Sequence, residues 1–201
     1  MEQAFIDLNL SSDLQRMVKH LSNRIGDDPQ HRLLIDELKS AIVIAPSART
    51  SFKTWPKEKF IELCGMIARA FPVRKVILVG DRAEERVATA IQCHFPYTVI
   101  SLTGVITLRE YAALVGNAAL LIAHDSAAMH IGNYERTPLI ALFGPTSALQ
   151  YGEHSDTSTV IKRTDLPCIP CRGVRCDINR ACLTGLTADE VFAEVMRKLP
   201  A

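Results

Sequence analysis

The residues with the clearest capacity for chemistry lie together in the segment HDSAAMHIGN, residues 124–133. An aliphatic run, Ala118 to Ala123, precedes this segment, and a second run, Leu139 to Phe143, follows it. Short aliphatic runs are typical of buried parallel strands, so the segment between them is predicted to form a tight turn and a short helix. The first N–H groups of such a helix point to the carboxyl edge of the sheet, where anions bind.

Four residues of this segment are candidates for an anion site. Asp125 stands where the N-cap of the helix is expected. Ser126 adds a hydroxyl, Ala127 leaves room for close approach to the backbone, and His130 lies one turn further along. An Asp-Ser pair at a helix start is also ordinary capping chemistry, worth ~1 kcal/mol. A binding site and a simple cap therefore both remain open on this segment alone.

A second candidate is Lys53, in the loop APSARTSFKTWP that follows the first aliphatic strand. Pro56 is well suited to the first turn of the next helix, because a residue there has no intrahelical N–H bond to lose. Lys53 thus lies in a loop at the carboxyl edge, where a lysine is a natural partner for a diphosphate. The alternative is an ordinary solvated lysine.

The second strand ends at Gly80 and Asp81, and Glu84 follows three residues later. This pattern lacks the GxGxxG fingerprint, which argues against a nicotinamide-dependent dehydrogenase. Asp81 and Glu84 have the spacing of a capping box, in which Glu84 would bind the backbone rather than a ligand. Similar boxes are predicted at Thr107 and Glu110 and at Thr187 and Glu190.

Four of the six cysteines are clustered within fifteen residues, at Cys168, Cys171, Cys176 and Cys182. Four thiols at such spacing are able to surround one Zn²⁺ tetrahedrally and close a structural site. The alternatives are free thiols, or disulfides formed on oxidation. The other two, Cys64 and Cys93, fall in helical patterns and are predicted to be core residues.

From residue 41 onward the chain alternates between strand and helix patterns. The predicted strands are Ala41–Ala45, Lys75–Val79, Thr98–Leu102, Ala119–Ala123, Leu139–Phe143 and Thr159–Lys162. The predicted helices are Lys57–Ala70, Ala83–Cys93, Leu108–Val115, the short one after Asp125, and Ala188–Lys198. Alternation at this spacing predicts an α/β fold with right-handed crossovers and a doubly wound parallel sheet of about six strands.

Residues 1–40 differ from the rest, since Ser12 to Ile25 has helical spacing and Gly26 to Pro29 ends it. One helix and a linker cannot bury a core of their own. The near-zero formal charge, +1, gives no reason to expect a nucleic-acid partner. No run reaches the ~20 apolar residues of a membrane span. The start of the chain also lacks a signal-peptide pattern, so a cytoplasmic location is expected.

Two motifs together resemble one known family. S-x-K-x-W-P at Ser51–Pro56, and D-S-x-x-M-H followed by F-G-P-T at Phe143–Thr146, are similar to the donor-binding loops of glycosyltransferase family 9, the heptosyltransferases of the lipopolysaccharide core. Ala127 stands where that family usually has Gly. The implied fold is the C-terminal, Rossmann-like donor domain of a GT-B glycosyltransferase, residues 41–201, with residues 1–40 as a helix and linker left from an N-terminal acceptor domain.

The resemblance also implies roles for individual residues. Lys53 would contact the donor diphosphate, with Ser47 beside it, and Glu84 would bind the ribose of the nucleotide. Gly104 belongs to a loop that lines the base pocket. Lys53 and Asp125 are the implied catalytic residues. Lys53, Ser126 and the helix start after Asp125 would stabilise the charge that develops on the diphosphate leaving group.

The implied reaction is inverting transfer of a sugar from a nucleotide diphosphate donor, ADP-heptose, to a lipopolysaccharide core acceptor. In the resembled family the base that activates the acceptor belongs to the N-terminal domain, so Asp125 and His130 are interpreted as donor-site residues. No metal is implied for catalysis, and peripheral contact with the inner membrane is left open. The alternative function is a non-catalytic nucleotide-binding module, or a truncated transferase that needs a separate acceptor domain.

Overall fold

The computed structural model describes residues 35–152, 155–171 and 176–199 of the chain. Within them the strands form one six-stranded sheet in which all neighbouring pairs are parallel. The spatial order is β3-β2-β1-β4-β5-β6. The strands are β1 (Ile42–Ile44), β2 (Val76–Leu78), β3 (Val99–Ser101), β4 (Leu120–His124), β5 (Leu139–Leu142) and β6 (Ser158–Ile161). The predicted doubly wound α/β fold is confirmed.

Helices connect these strands. They are α1 (Ile35–Ser40), α2 (Lys57–Ala70), α3 (Glu85–Gln92), α4 (Leu108–Asn117), α5 (Ala127–Tyr134), α6 (Ala148–Tyr151), α7 (Ala181–Thr184) and α8 (Ala188–Lys198). The five predicted helices are present as α2, α3, α4, α5 and α8, and three short helices, α1, α6 and α7, were not predicted. The third predicted helix is two residues longer than expected, and α3 is preceded by a 3-10 turn, Arg82–Glu84. The predicted capping boxes are formed at Asp81 and Thr107, and a third caps α8 at Thr187.

The sheet is buried on both faces because its strands are aliphatic at nearly every position. In β1, Ile42 and Ile44 pack on the face covered by α2, α3 and α8. Val43, between them, packs on the opposite face with residues of α1, α4 and α5. Alternate residues of a strand point to opposite faces, so a strand covered on both sides must be apolar throughout. The two faces therefore have separate hydrophobic cores.

The strand order reverses between β1 and β4, which are neighbours in the sheet although β2 and β3 lie between them in the chain. The crossovers from β1 and β4 leave toward opposite faces, and a crevice opens at their carboxyl ends. Ligands of open parallel sheets bind at such a switch point. The loops after these two strands carry Lys53 and Asp125.

The predicted helix at 12–25, and with it most of the predicted linker unit 1–40, lies outside the described residues. No helix in the part of the chain that the structure describes is both long and apolar enough to cross a membrane.

Candidate functional site

Lys53 and Asp125 form an ion pair at the switch point, with 2.7 Å between the lysine Nζ and the Asp125 Oδ2. The Asp125 side chain is 7% exposed, whereas that of Lys53 is 33% exposed. A lysine ammonium has three N–H donors. Since Asp125 is its hydrogen-bond partner among the described residues, the solvent-facing side of the ammonium keeps donors for a ligand.

The sequence-based placement of the helix cap at Asp125 is wrong by one residue. The N-cap of α5 is Ser126, with extended backbone angles, and its side chain makes no cap hydrogen bond. The Asp125 carboxylate is turned to Lys53 instead. A charge-assisted hydrogen bond to an ammonium is stronger than one to a neutral backbone N–H, which explains why the Asp125 carboxylate binds Lys53 and does not cap the helix. The first turn of α5 is left with N–H groups that no capping side chain binds.

Two hydroxyl oxygens in the loops after β4 and β5 are buried without a hydrogen-bond partner in the described structure: Ser126 Oγ and Thr146 Oγ1. Ser126 lies two residues after the end of β4, and Thr146 lies four residues after the end of β5, the neighbouring strand. A buried hydroxyl without a partner costs roughly 1–3 kcal/mol. Such groups in a native fold require an explanation, and a bound polar ligand is one.

His124, the last residue of β4, is fully buried. Its Nε2 accepts a hydrogen bond of 2.9 Å from the backbone N–H of Trp55. Burial lowers the pKa of His124 to about 4, although backbone contacts at Ser47 and Ala45 act in the opposite direction. The histidine is therefore neutral at physiological pH, and it ties the Lys53 loop to β4.

Glu84 and Ser47 approach one another on the other side of β1. The Glu84 carboxylate accepts a 3.0 Å bond from the backbone N–H of Asp81, which completes the capping box. Burial raises the pKa of Glu84, while hydrogen bonds from the Asp81 backbone and the Ser47 side chain lower it. The hydroxyl of the partly buried Tyr111 has a raised pKa, first because of desolvation and then because of the charge of Glu84. The capping role of Glu84 is confirmed, and its contact with a ribose stays a prediction.

Gly104 has a structural reason of its own to be glycine. Its φ is +70°, in the left-handed region, and a Cβ there would lie 3.0 Å from the Cα of Arg82. Its N–H donates to the carbonyl of Gly80 over 3.0 Å, so the loops after β2 and β3 touch at this point. The predicted role of Gly104 in lining a base pocket is compatible with this position and stays a prediction.

Ala127 and His130 are both exposed on α5, whereas Ala128 and Met129 between them are buried. Ala127 is the first residue of the helix, so its backbone faces the carboxyl edge. His130 lies one turn further from that edge. The structure therefore puts Ala127 closer to the site than His130, and the donor-binding roles predicted for both stay predictions.

The described parts of the cysteine-bearing segment, residues 168–171 and 176–182, lie beside the site. The Cys171 N–H donates to the Pro145 carbonyl over 2.7 Å, and the Arg180 guanidinium donates to the Ser51 carbonyl over 2.5 Å. All four cysteines of the segment are free thiols. Of the two cysteines predicted to be core residues, Cys64 is buried, but Cys93 is exposed just after the end of α3, so that prediction is wrong for Cys93. Within the described ranges no three His, Cys, Asp or Glu side chains are grouped to hold a metal ion, so the predicted zinc site is not confirmed.

The sequence analysis missed the roles of His124, Thr146 and Arg180. The signal for His124 was available, because a histidine at the end of an aliphatic strand cannot be explained by burial alone. Thr146 was noted only as part of a motif. Arg180 gave no signal, since its bonds to Ser51 and Thr54 span more than a hundred residues of sequence.

A curated relative resembles the chain over most of its described length. It is lipopolysaccharide heptosyltransferase 3 from Escherichia coli, 33% identical over 165 residues that cover 80% of this chain and 47% of the relative. A second heptosyltransferase 3, from strain K12 of the same organism, is 29% identical and is covered over 46% of its length. The chain thus spans about half the length of these relatives.

Solved structures show the same fold at low identity. The E. coli ADP-heptose lipopolysaccharide heptosyltransferase II has a TM-score of 0.70 at 19% identity, with 92% of this chain and 51% of that chain covered. The family model of glycosyltransferase family 9 (heptosyltransferase) matches residues 6–181, which is most of the sequence and includes every candidate donor-site residue. This match, together with the motif-bearing loops at the switch point, shows that the chain belongs to glycosyltransferase family 9.

Proposed function

We propose that this domain binds a nucleoside-diphosphate sugar, ADP-heptose, at the switch point between β1 and β4. The observation that carries the proposal is the partly exposed Lys53 ammonium, held by Asp125 near the uncapped start of α5 and the unpaired Ser126 hydroxyl. Lysine N–H groups, helix N–H groups and a hydroxyl are the donors that a diphosphate accepts from.

The charges at the site favour a diphosphate over a neutral ligand. Asp125 neutralises the charge of Lys53, so the positive potential comes from the helix start and from the outward N–H groups of the lysine. A ligand with two phosphates is able to accept from the N–H groups of the helix start and from the Lys53 ammonium at the same time. Asp125 keeps the lysine pointed into the crevice, which is the contribution that we assign to it as a donor-side catalytic residue.

The adenine and heptose assignments rest on the relatives. One structural neighbour is described as an ADP-heptose heptosyltransferase, and family members act on lipopolysaccharide. We propose that this chain supplies the donor-binding half of such an enzyme. The acceptor site and its base would then come from the half of the relatives that the chain does not match. During transfer, Lys53 and the α5 start would stabilise the charge of the departing ADP.

No group of metal ligands is needed for this proposal, since its charge stabilisation comes from protein N–H groups. A zinc ion at the cysteine segment would be structural and stays a prediction, which metal analysis of the purified protein would test. A cytoplasmic location, with or without peripheral contact to the inner membrane, is likewise a prediction.

Titration calorimetry with ADP, AMP and UDP tests the donor assignment. We expect ADP to bind more tightly than AMP, because AMP lacks the second phosphate, and more tightly than UDP. Lys53→Met should weaken ADP binding by roughly 10- to 100-fold, the loss of one charge-assisted hydrogen bond. Lys75→Met is the matched control, because Lys75 lies just before β2 at the opposite edge of the sheet and donates to the Tyr97 carbonyl. Equal binding of all three nucleotides would refute the adenine assignment.

Transfer itself is tested by ADP release from ADP-heptose, with and without a lipid A–Kdo acceptor. We expect residues 1–201 alone to show no acceptor-dependent release, and release to appear when an acceptor domain of the family is fused to the chain. Acceptor-dependent turnover by this chain alone would mean that a donor-side group such as His130 acts as the base. ADP binding without turnover in the fusion would favour the non-catalytic module.

A further inference from the structure

We propose that His124 is a positioning residue for Lys53, which it holds through the backbone of Trp55. The inference rests on the proposed function, because it assigns a task to the lysine that binds the diphosphate. His124 itself is fully buried and has no path to a ligand. Its effect on the site must therefore pass through the loop that it anchors.

The geometry links the end of β4 to the Lys53 loop at two successive residues. His124 accepts from the Trp55 N–H over 2.9 Å, and Asp125 accepts from the Lys53 ammonium over 2.7 Å. Lys53 and Trp55 are two residues apart. The bond to His124 therefore fixes the backbone of the loop, and the bond to Asp125 fixes the Lys53 side chain. A flexible lysine stem would otherwise lose much of its rotamer freedom on binding a ligand.

The hydrogen bond from the Trp55 N–H also determines the tautomer of the neutral His124 ring. A backbone N–H can only donate, so Nε2 of His124 must be an acceptor, and the proton of the neutral ring lies on Nδ1. Burial lowers the pKa of His124 to about 4, which keeps the ring neutral under working conditions. A protonated ring would present a donor to the Trp55 N–H and break the anchor.

Packing holds the ring in this orientation. The Phe60 ring meets His124 edge to face with 5.6 Å between ring centroids, and Trp55 meets Phe60 in the same way at 4.9 Å. The Trp55 indole N–H donates to the Leu186 carbonyl over 3.1 Å. The histidine contributes what an apolar side chain lacks, an acceptor for the Trp55 N–H.

The test is a set of variants at this position, with ADP affinity measured by calorimetry. His124→Phe keeps a ring and removes the acceptor, and we expect about tenfold weaker ADP binding. His124→Gln carries an acceptor near the place of Nε2 and should bind ADP within about threefold of the parent. The shorter side chain of His124→Asn extends only to the position of Nδ1, so this variant should bind ADP as weakly as His124→Phe. His94→Phe is the matched control, because His94 is exposed beyond the end of α3 and its ring nitrogen hydrogen-bonds the Ala90 carbonyl, far from the Lys53 loop in sequence.

A double-variant cycle separates positioning from general destabilisation. In a Lys53→Met background, His124→Phe should cause no further loss of ADP affinity, because the residue that it positions is gone. An equal loss in both backgrounds, or parent-like binding by His124→Phe, would overturn the proposal. If Phe does not fold, the contrast between Gln and Asn decides: equal affinity of these two would also overturn it.

A spectroscopic measurement is independent of any ligand. Long-range ¹H–¹⁵N correlation spectra of the parent protein report the tautomer of each histidine, and we expect His124 to be protonated at Nδ1. Protonation at Nε2 would refute the anchor even if ADP binds as proposed. Conversely, the expected tautomer with no effect of Lys53→Met on ADP binding would refute the diphosphate assignment and leave the anchor in place.

Discussion

Replacement of Ser126 by alanine offers the sharpest test of the site, because the structural and the functional interpretations predict opposite results. A serine at a helix N-cap normally accepts from a backbone N–H, and its loss costs about 1 kcal/mol. Ser126 is the N-cap of α5 but makes no such bond. Its hydroxyl oxygen is buried without a partner among the described residues.

The change in stability follows from these two facts. Ser126→Ala removes no cap hydrogen bond and takes away a buried, unpaired hydroxyl, so the free energy of unfolding should stay unchanged or rise by up to about 1 kcal/mol. Thr187→Ala is the positive control, because Thr187 caps α8 and accepts from the Glu190 N–H over 3.1 Å. That variant should lose about 1 kcal/mol, or about 2–4 °C in Tm for a chain of this size.

Ligand binding should respond in the opposite direction. If the Ser126 hydroxyl donates to a phosphate of ADP, its loss removes one charge-assisted bond worth roughly 1.5–3 kcal/mol, which is about 10- to 100-fold in Kd. Thr187→Ala should bind ADP as the parent does. The assays are urea unfolding for stability and titration calorimetry for ADP.

A loss of about 1 kcal/mol of stability in Ser126→Ala, with ADP affinity unchanged, would refute this reasoning. Ser126 would then be an ordinary cap. Equal losses of ADP affinity in Ser126→Ala and Thr187→Ala would also contradict it, because binding would then follow stability and not the local contact.

Two further predictions concern His124 and Gly104. The pKa of His124 in the folded protein, about 4, lies below its ordinary value of about 6.5. Between these two pH values the unfolded chain binds more protons than the folded chain, so the free energy of unfolding decreases as the pH falls from about 6.5 to about 4. The His124→Gln variant lacks this titration, so over the same pH range its free energy of unfolding, measured with urea, should decrease by up to about 3 kcal/mol less than that of the parent. If stability depends on pH in the same way in both proteins, the effect of burial on the His124 pKa is contradicted. Gly104→Ala should destabilise by about 1–3 kcal/mol, because φ is +70° and a Cβ meets the Arg82 backbone. Gly65→Ala, in ordinary contact with Phe95 inside α2, should cost less, and equal losses would argue against strain at Gly104.

Much of the fold was predictable because its signals are local. Aliphatic runs predicted all six strands to within two residues at each end, and the capping boxes at Asp81, Thr107 and Thr187 marked helix starts that the structure confirms. These patterns depend on side-chain period and on hydrogen bonds within four residues. The motif around Lys53 and the one around Asp125 likewise identified the two loops of the site and the family.

The contacts inside the site were not predictable in the same way. The sequence alone placed Lys53 and Asp125 each in a loop that follows a strand, but it did not determine that β1 and β4 are neighbours. Their ion pair joins residues 72 apart in the chain. Asp125 pairs with Lys53 and does not cap α5, the N-cap is Ser126, and the Ser126 hydroxyl has no partner among described residues.

The role of His124 was decided by tertiary structure for the same reason. Its partner, the Trp55 N–H, is 69 residues away, and its neutral state depends on complete burial between two packed layers. A histidine has a similar local preference for strand or helix wherever it stands, but its charge depends on the desolvation that only the assembled core provides. Residue types and spacing thus determined the fold and the location of the site, while strand order and burial decided which groups pair there and which remain available to a ligand.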